Sequence, residues 1–445
     1  MSNKNGRWPY SLLNEMRMQS DPFADEAAAA LFRSIEGKGP DEVRQFIKEF
    51  VSHDFGTKWD HHLSSIPPPT ELIEYFNDFS TFSFSGEEKM ILQKGSDFFL
   101  DHGPAATLAL GVRSLLKQYA HTDAIQVLRM TTLLEQHTHR RIIETMQFLL
   151  DVMQPGWHRT DQMGLLTTLN AQHVGVLAIQ KLRLVHAMVR HRIKNKMYDP
   201  ELGDWNLEWG NPINQEDMVF ATQTFSLEVL EGLMAIGHNL SEQEIETYFS
   251  CWKIIGRALG VDPRLEPINY ADGWSLQQKI YSRHFTLPNE YGPVLSEALI
   301  NWLDRIIPLA TRKTIITLIK AFNGKENFEI LQRHLGIDLG IADRSLHHHV
   351  SQELDLKVTQ EPQPEGLTAE SLVVESFFKY FMESLLAAER GGKNAHFRIG
   401  DGFQASWNIN RDLDTPPSTW EMIKASIRAF INSILDILLR LLKKK

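Results

Sequence analysis

Two segments of the chain carry side chains suited to chemistry: His139-Arg140-Arg141-Ile142-Ile143-Glu144-Thr145, and Arg183-Leu184-Val185-His186-Ala187-Met188-Val189-Arg190-His191. In the first, Arg141 and Thr145 stand one helical turn apart, so a guanidinium and a hydroxyl point in nearly the same direction. They run beside an apolar stripe of Ile142, Met146, Leu149 and Met153, where both can reach one bound polar group. The competing reading is a solvated helix ion pair of Arg140 or Arg141 with Glu144, worth about 0.3 to 0.5 kcal/mol.

In the second segment, Ile179, Leu182, Val189 and Ile193 surround His186 at helical offsets and turn it toward the core. Burial disfavours an imidazolium and leaves a neutral ring able to bind a metal. Arg183 and Arg190 flank the same stripe. One axial imidazole with two cations in range of two carboxylates is an arrangement that a haem fits. A lone His on an apolar face is more often a hydrogen-bonded core residue, and that alternative stands beside the first.

Other chemistries find less support. The chain has no Cys–Cys zinc pattern, no His-Glu-x-x-His, no Gly-rich phosphate loop and no paired Glu-x-x-His repeat. Glu135 and His139 can share a metal, but no second pair accompanies them. His347, His348 and His349 point in three helical directions, and His61-His62 and Trp157-His158 are equally unspecific.

The elements that must position these residues read as helices. Apolar residues recur at helical spacing almost throughout, which predicts an all-α, multi-helix globular domain. Asn214 before Asp217 and Ser241 before Glu244 are N-cap patterns, and Gly260 followed by Pro263 is a helix stop. Pro155-Gly156 ends the helix of Arg141, and Asn170 is placed to cap the helix of His186. The short connection is compatible with the two helices packing side by side. Linker signals at Ile66 to Pro69 and Gln352 to Gly366 divide the chain into an N-terminal extension (1–39), a main domain (40–350) and a C-terminal helical extension (367–445).

Composition bounds the function. The 445 residues carry a net charge of -10, with 42% apolar and 23% charged residues, which describes a folded chain and argues against nucleic acid as partner. Cys251 is the one cysteine, which suits a reducing compartment, and Met1 to Met18 lack the apolar core of an export signal. A cytoplasmic protein is expected. From Trp420 to Leu442, Lys424, Arg428, Asn432, Asp436 and Arg440 form one polar stripe, so that stretch is an amphipathic helix and not a membrane span. It either packs on protein or, helped by Lys443 to Lys445, makes a peripheral membrane contact.

Three segments together, Tyr119 through Pro155, Arg183 to Arg190, and Pro212-Ile213-Asn214-Gln215-Glu216-Asp217-Met218, resemble the haem-dependent oxygenase family of latex clearing protein (rubber oxygenase) and the MpaB-type enzymes. The likeness runs from about residue 90 to about residue 340. It implies an all-α fold with haem b between helices, and O2 activated at the iron against a lipophilic or unsaturated substrate. Carried over residue by residue, the resemblance implies that His186 is the proximal ligand and that Arg141 and Thr145 belong to the haem pocket. Two positions depart from the family: Glu144 stands where latex clearing protein has a Lys, and the family's distal glutamate falls near Ile125, with Asp123 one helical step off. Glu144 then stands as a substitute distal polar group. The expected function is a haem b oxygenase-like enzyme; the alternatives are a non-catalytic helical haem- or lipid-binding protein, and His186 as plain core packing.

Overall fold

The computed structural model describes residues 7–39, 41–42, 66–78, 82–131, 138–157, 173–197, 200–285, 290–306 and 312–336, with Phe403 and Ser406. Within these, the side chains of 138–140, 306 and 314 are not described. Outside the described residues lie Glu135, His61-His62, His158, Asn170, His347 to His349, the linker from Gln352 to Gly366 and the amphipathic stretch from Trp420 to Leu442.

Every regular element among the described residues is helical, as the apolar spacing predicts. In chain order they are α1 (Tyr10–Arg17), α2 (Pro22–Ile35), α3 (Thr70–Asn77), α4 (Gly86–Ala109), α5 (Leu115–Ala120), α6 (Ile125–Met130), α7 (Thr138–Val152), α8 (Val174–Lys194), α9 (Gln215–Ala235), α10 (Glu242–Ala258), α11 (Tyr270–His284), α12 (Tyr291–Ile306) and α13 (Arg312–Leu335). None of the described helices is long and apolar enough to cross a membrane.

The caps read from sequence form as expected. Asn214 Oδ1 accepts from Asp217 N at the start of α9, and Ser241 with Glu244 makes a reciprocal capping box at the start of α10. Gly260 ends α10 in the left-handed region, φ +95°. The cap of α8 is His173, whose Nδ1 accepts from Gly175 N while its ring stacks on Trp157 at 3.8 Å. That ring contact ties the start of α8 to the end of α7.

One contiguous apolar core runs from Trp8 on the approach to α1, through α2, α4, α9 and α10, to α13. The described part of residues 1–39 is therefore built into the same core: Leu13, Met16, Ala24, Ala28 and Leu31 are all buried there. Five residues between α4 and α5, Leu110–Ser114, form a π-helical turn. Such a turn widens the helix by one residue and leaves carbonyls in search of donors. Asn323 Nδ2 donates to Val112 O at 3.0 Å, and Arg113 Nη1 donates to Phe322 O at 2.8 Å, beside the break in α13 at Gly324.

Candidate functional site

Helices α7 and α8 pack against each other. The end of α7 meets the start of α8 so tightly that a Cβ on Gly175 would lie 3.1 Å from Asp151 O. From that contact, Arg141 lies ten residues back along α7 and His186 eleven residues on along α8. Ile142, Met146, Leu149 and Met153 are buried, as the stripe on α7 predicts.

His186 is half-buried, yet its Nδ1 is sealed from solvent and has no hydrogen-bond partner. Burial first, then the Arg190 charge, push the ring down to about 4, so it is neutral. A hydrogen-bonded core histidine would show a partner, and none exists among the described residues. On α7, the half-buried Arg141 makes no guanidinium hydrogen bond among the described residues. Burial pushes its pKa down, opposed by the nearby Tyr119 and Glu144. The Thr145 hydroxyl donates to Arg141 O at 2.9 Å, so toward any neighbour it acts as an acceptor. Glu144 is half-buried and lies within electrostatic range of Arg141.

The two arginines of α8 are more deeply buried than the flanking position implied, and the reason is α2. Arg183 grips Asp21 with two nitrogens, Nε at 2.6 Å and Nη2 at 2.8 Å, and its Nη1 donates to Ala258 O. Each of its nitrogens thus makes one hydrogen bond inside the protein, and Nη1 and Nη2 each keep a second N–H. Arg190 Nε donates to Asp25 at 2.6 Å and Nη1 to Ile213 O at 3.4 Å, but its Nη2 is buried without a partner. The α2 carboxylates that bury these cations fall in the segment expected as an extension.

A second polar constellation went unread in the sequence. At the start of α9, Arg17 Nη2 donates to Asp123 at 3.0 Å, and Arg17 Nη1 lies 3.3 Å from Glu216 and 3.4 Å from Asp217. His284 bridges Asp123 Oδ2 through Nδ1 at 3.0 Å and Glu216 Oε2 through Nε2 at 3.2 Å. Its ring stacks on His121 at 4.4 Å. Burial alone would lower the pKa of His284, but the two carboxylates outweigh it and raise it; Asp123 and Glu216 are held below their ordinary values against the opposite pull of burial. Asp217, desolvated and bordered by Glu216, is pushed up to about 7 despite Arg17. The Asn214–Asp217 cap was the only local trace of this cluster, because its other members come from α1, the turn before α6, and α11. Asp123 is thereby committed to Arg17 and His284.

With this geometry in view, residues 100–361 match the family model of the ER-bound oxygenase mpaB/B'/rubber oxygenase catalytic domain. The match spans more than half of the chain, and the chain belongs to this family. The fold is similar to that of latex clearing protein in its closed state, with a TM-score of 0.57 and 19% identity over 82% of this chain and 90% of that one. At that identity the likeness speaks for the all-α fold. No curated protein matches the chain.

Proposed function

We propose that the chain is a haem b-dependent oxygenase acting with O2 on a lipophilic, unsaturated substrate, with the cofactor between α7 and α8. The observation that carries this reading is a neutral imidazole, His186, whose buried Nδ1 lacks a partner among the described residues, on a helix packed against the one that carries Arg141 and Thr145. These residues fit a haem. When bound, the haem supplies an iron centre at which O2 is activated.

The chain's own residues have separable tasks. His186 would hold the haem iron, since a ring with a pKa of about 4 keeps its lone pair available at neutral pH. Arg141, which makes no guanidinium hydrogen bond among the described residues, would offer positive charge to an anionic group in the pocket, and Thr145 an acceptor from the same helix, its hydrogen being held by Arg141 O. Glu144 supplies a counter-charge to Arg141 where the family has a Lys. Arg190, with Nη2 free, is an arginine able to reach a propionate; Arg183 positions α8 against α2.

A specific observation favours a second reading, a haem- or lipid-binding protein without turnover. Ile125 stands at the family's distal carboxylate position, and the nearest acid, Asp123, is taken up by Arg17 and His284. Two measurements separate them. Protein purified with haem supplied shows a Soret band that His186→Ala abolishes, and full haem loading of that variant removes His186 from the site. Substrate-dependent O2 uptake that falls at least tenfold in Arg141→Ala supports the oxygenase; haem-loaded protein that takes up no O2 with unsaturated lipids supports the second reading.

A further inference from the structure

On the opposite side of α9 from its capped start, two histidines meet. His102 on α4 and His238, just after α9, place their Nδ1 atoms 3.1 Å apart, with the rings at 72°. Three local devices aim these groups. Gly237, at φ +94°, ends α9 with Gly237 N donating to Met234 O and His238 N to Leu233 O, which fixes where the His238 ring departs. The capping box holds Glu244 Oε2 on the Ser241 N–H and hydroxyl, and Glu244 Oε1 faces His102 Nε2 at 3.9 Å. His102 itself stands on the long helix α4, its ring packed on Phe98 at 4.6 Å.

The carboxylate behind His102 favours the tautomer with the hydrogen on Nε2, which leaves the Nδ1 lone pair directed at His238. A carboxylate facing the other ring nitrogen orients a metal-binding imidazole in the same way. Two nitrogens held at about 2.0 Å on a tetrahedral ion lie roughly 3.3 Å apart, close to the separation seen.

We propose that His102 and His238 form a binding site for a divalent transition-metal ion of the zinc type, with Glu244 orienting His102 from behind. No group of three such ligands occurs among the described residues, so beyond the two rings the ion's shell would be filled by water. Held there, it clips α4 to the turn between α9 and α10. The site is independent of the haem reading, because it uses none of its residues.

The test is a calorimetric titration of the full chain, stripped with a chelator, with Zn2+ at neutral pH. One equivalent binds to the parent protein, and His102→Ala and His238→Ala each lose that binding. Glu244→Gln, which keeps the cap because Gln serves a capping box, weakens it about 10- to 100-fold. Circular dichroism without zinc is unchanged for Glu244→Gln, so weakening there reports the site and not the fold. Absence of an equivalent of bound zinc, or binding that survives both histidine substitutions, overturns the proposal and leaves the pair as a hydrogen bond between neutral rings.

Discussion

Arg183 and His186 lie within one turn of α8, yet burial acts on them in opposite ways. Arg183 keeps its charge in the interior because Asp21 meets it with two short hydrogen bonds, whereas His186 has no such partner and stays neutral. Removing one member of a buried pair strands the other. Asp21→Ala is therefore expected to cost about 3 to 5 kcal/mol, whereas replacing Asp21 and Arg183 together by Leu and Met costs much less. Urea unfolding of the single and double variants measures both, and equal losses would contradict this account. At His186 the expectation differs. His186→Phe, apolar and of similar shape, leaves stability within about 1.5 kcal/mol while removing haem binding, because Nδ1 has no hydrogen bond among the described residues to lose.

At the scale of elements, α8 is held from two sides, by α7 through the His173–Trp157 stack and by α2 through its aspartates. A glycine outside both helices permits the second contact. Gly260 has φ +95°, and a Cβ there would stand 2.5 Å from Asp21 Oδ2 and 2.9 Å from Arg183 Nε. Gly260→Ala is expected to destabilise by about 1 to 3 kcal/mol through backbone strain and displacement of that ion pair. If Asp21→Ala already removes the pair, adding Gly260→Ala costs less than it does alone, and a double-mutant cycle reads this coupling. The helix stop at Gly260 was legible from the glycine and the proline after it. The Asp21–Arg183 pair it borders was not, because that contact joins residues far apart in the chain.

For the whole molecule, the cluster around Arg17 ties α1, the turn before α6, α9 and α11 together, and it makes stability depend on pH. His284 has its pKa raised on folding, so its contribution is complete below about 6.5 and is lost as pH rises through the folded value. Asp217, raised to about 7, likewise favours the folded state while protonated and withdraws that support as pH climbs toward 7. Asp123 and Glu216, both lowered, contribute above about 4.5 and lose that contribution as pH falls through their folded values. Asp217 loses its support from about pH 4 up to about 7, so stability should peak near pH 4.5 and decline from there toward neutral, and Asp217→Asn should flatten that decline. Thermal unfolding across pH checks this, and a midpoint that keeps rising to pH 8 would contradict it. Helix content, the caps at Asn214 and Ser241, the stop at Gly260 and the apolar face of α7 could be read from the chain alone, whereas on α8 Ile179 and Ile193 are buried as expected but Leu182 and Val189 only half so. The legible features all follow from residues within a few turns of one another, where spacing and local hydrogen bonding decide the outcome. Which charges Arg183, Arg190 and Asp123 answer to, and that His102 meets His238, came only from packing. Those partners lie tens to hundreds of residues apart, and an ionised or polar group in the interior takes its state from whichever neighbours the folded core brings within a few ångströms.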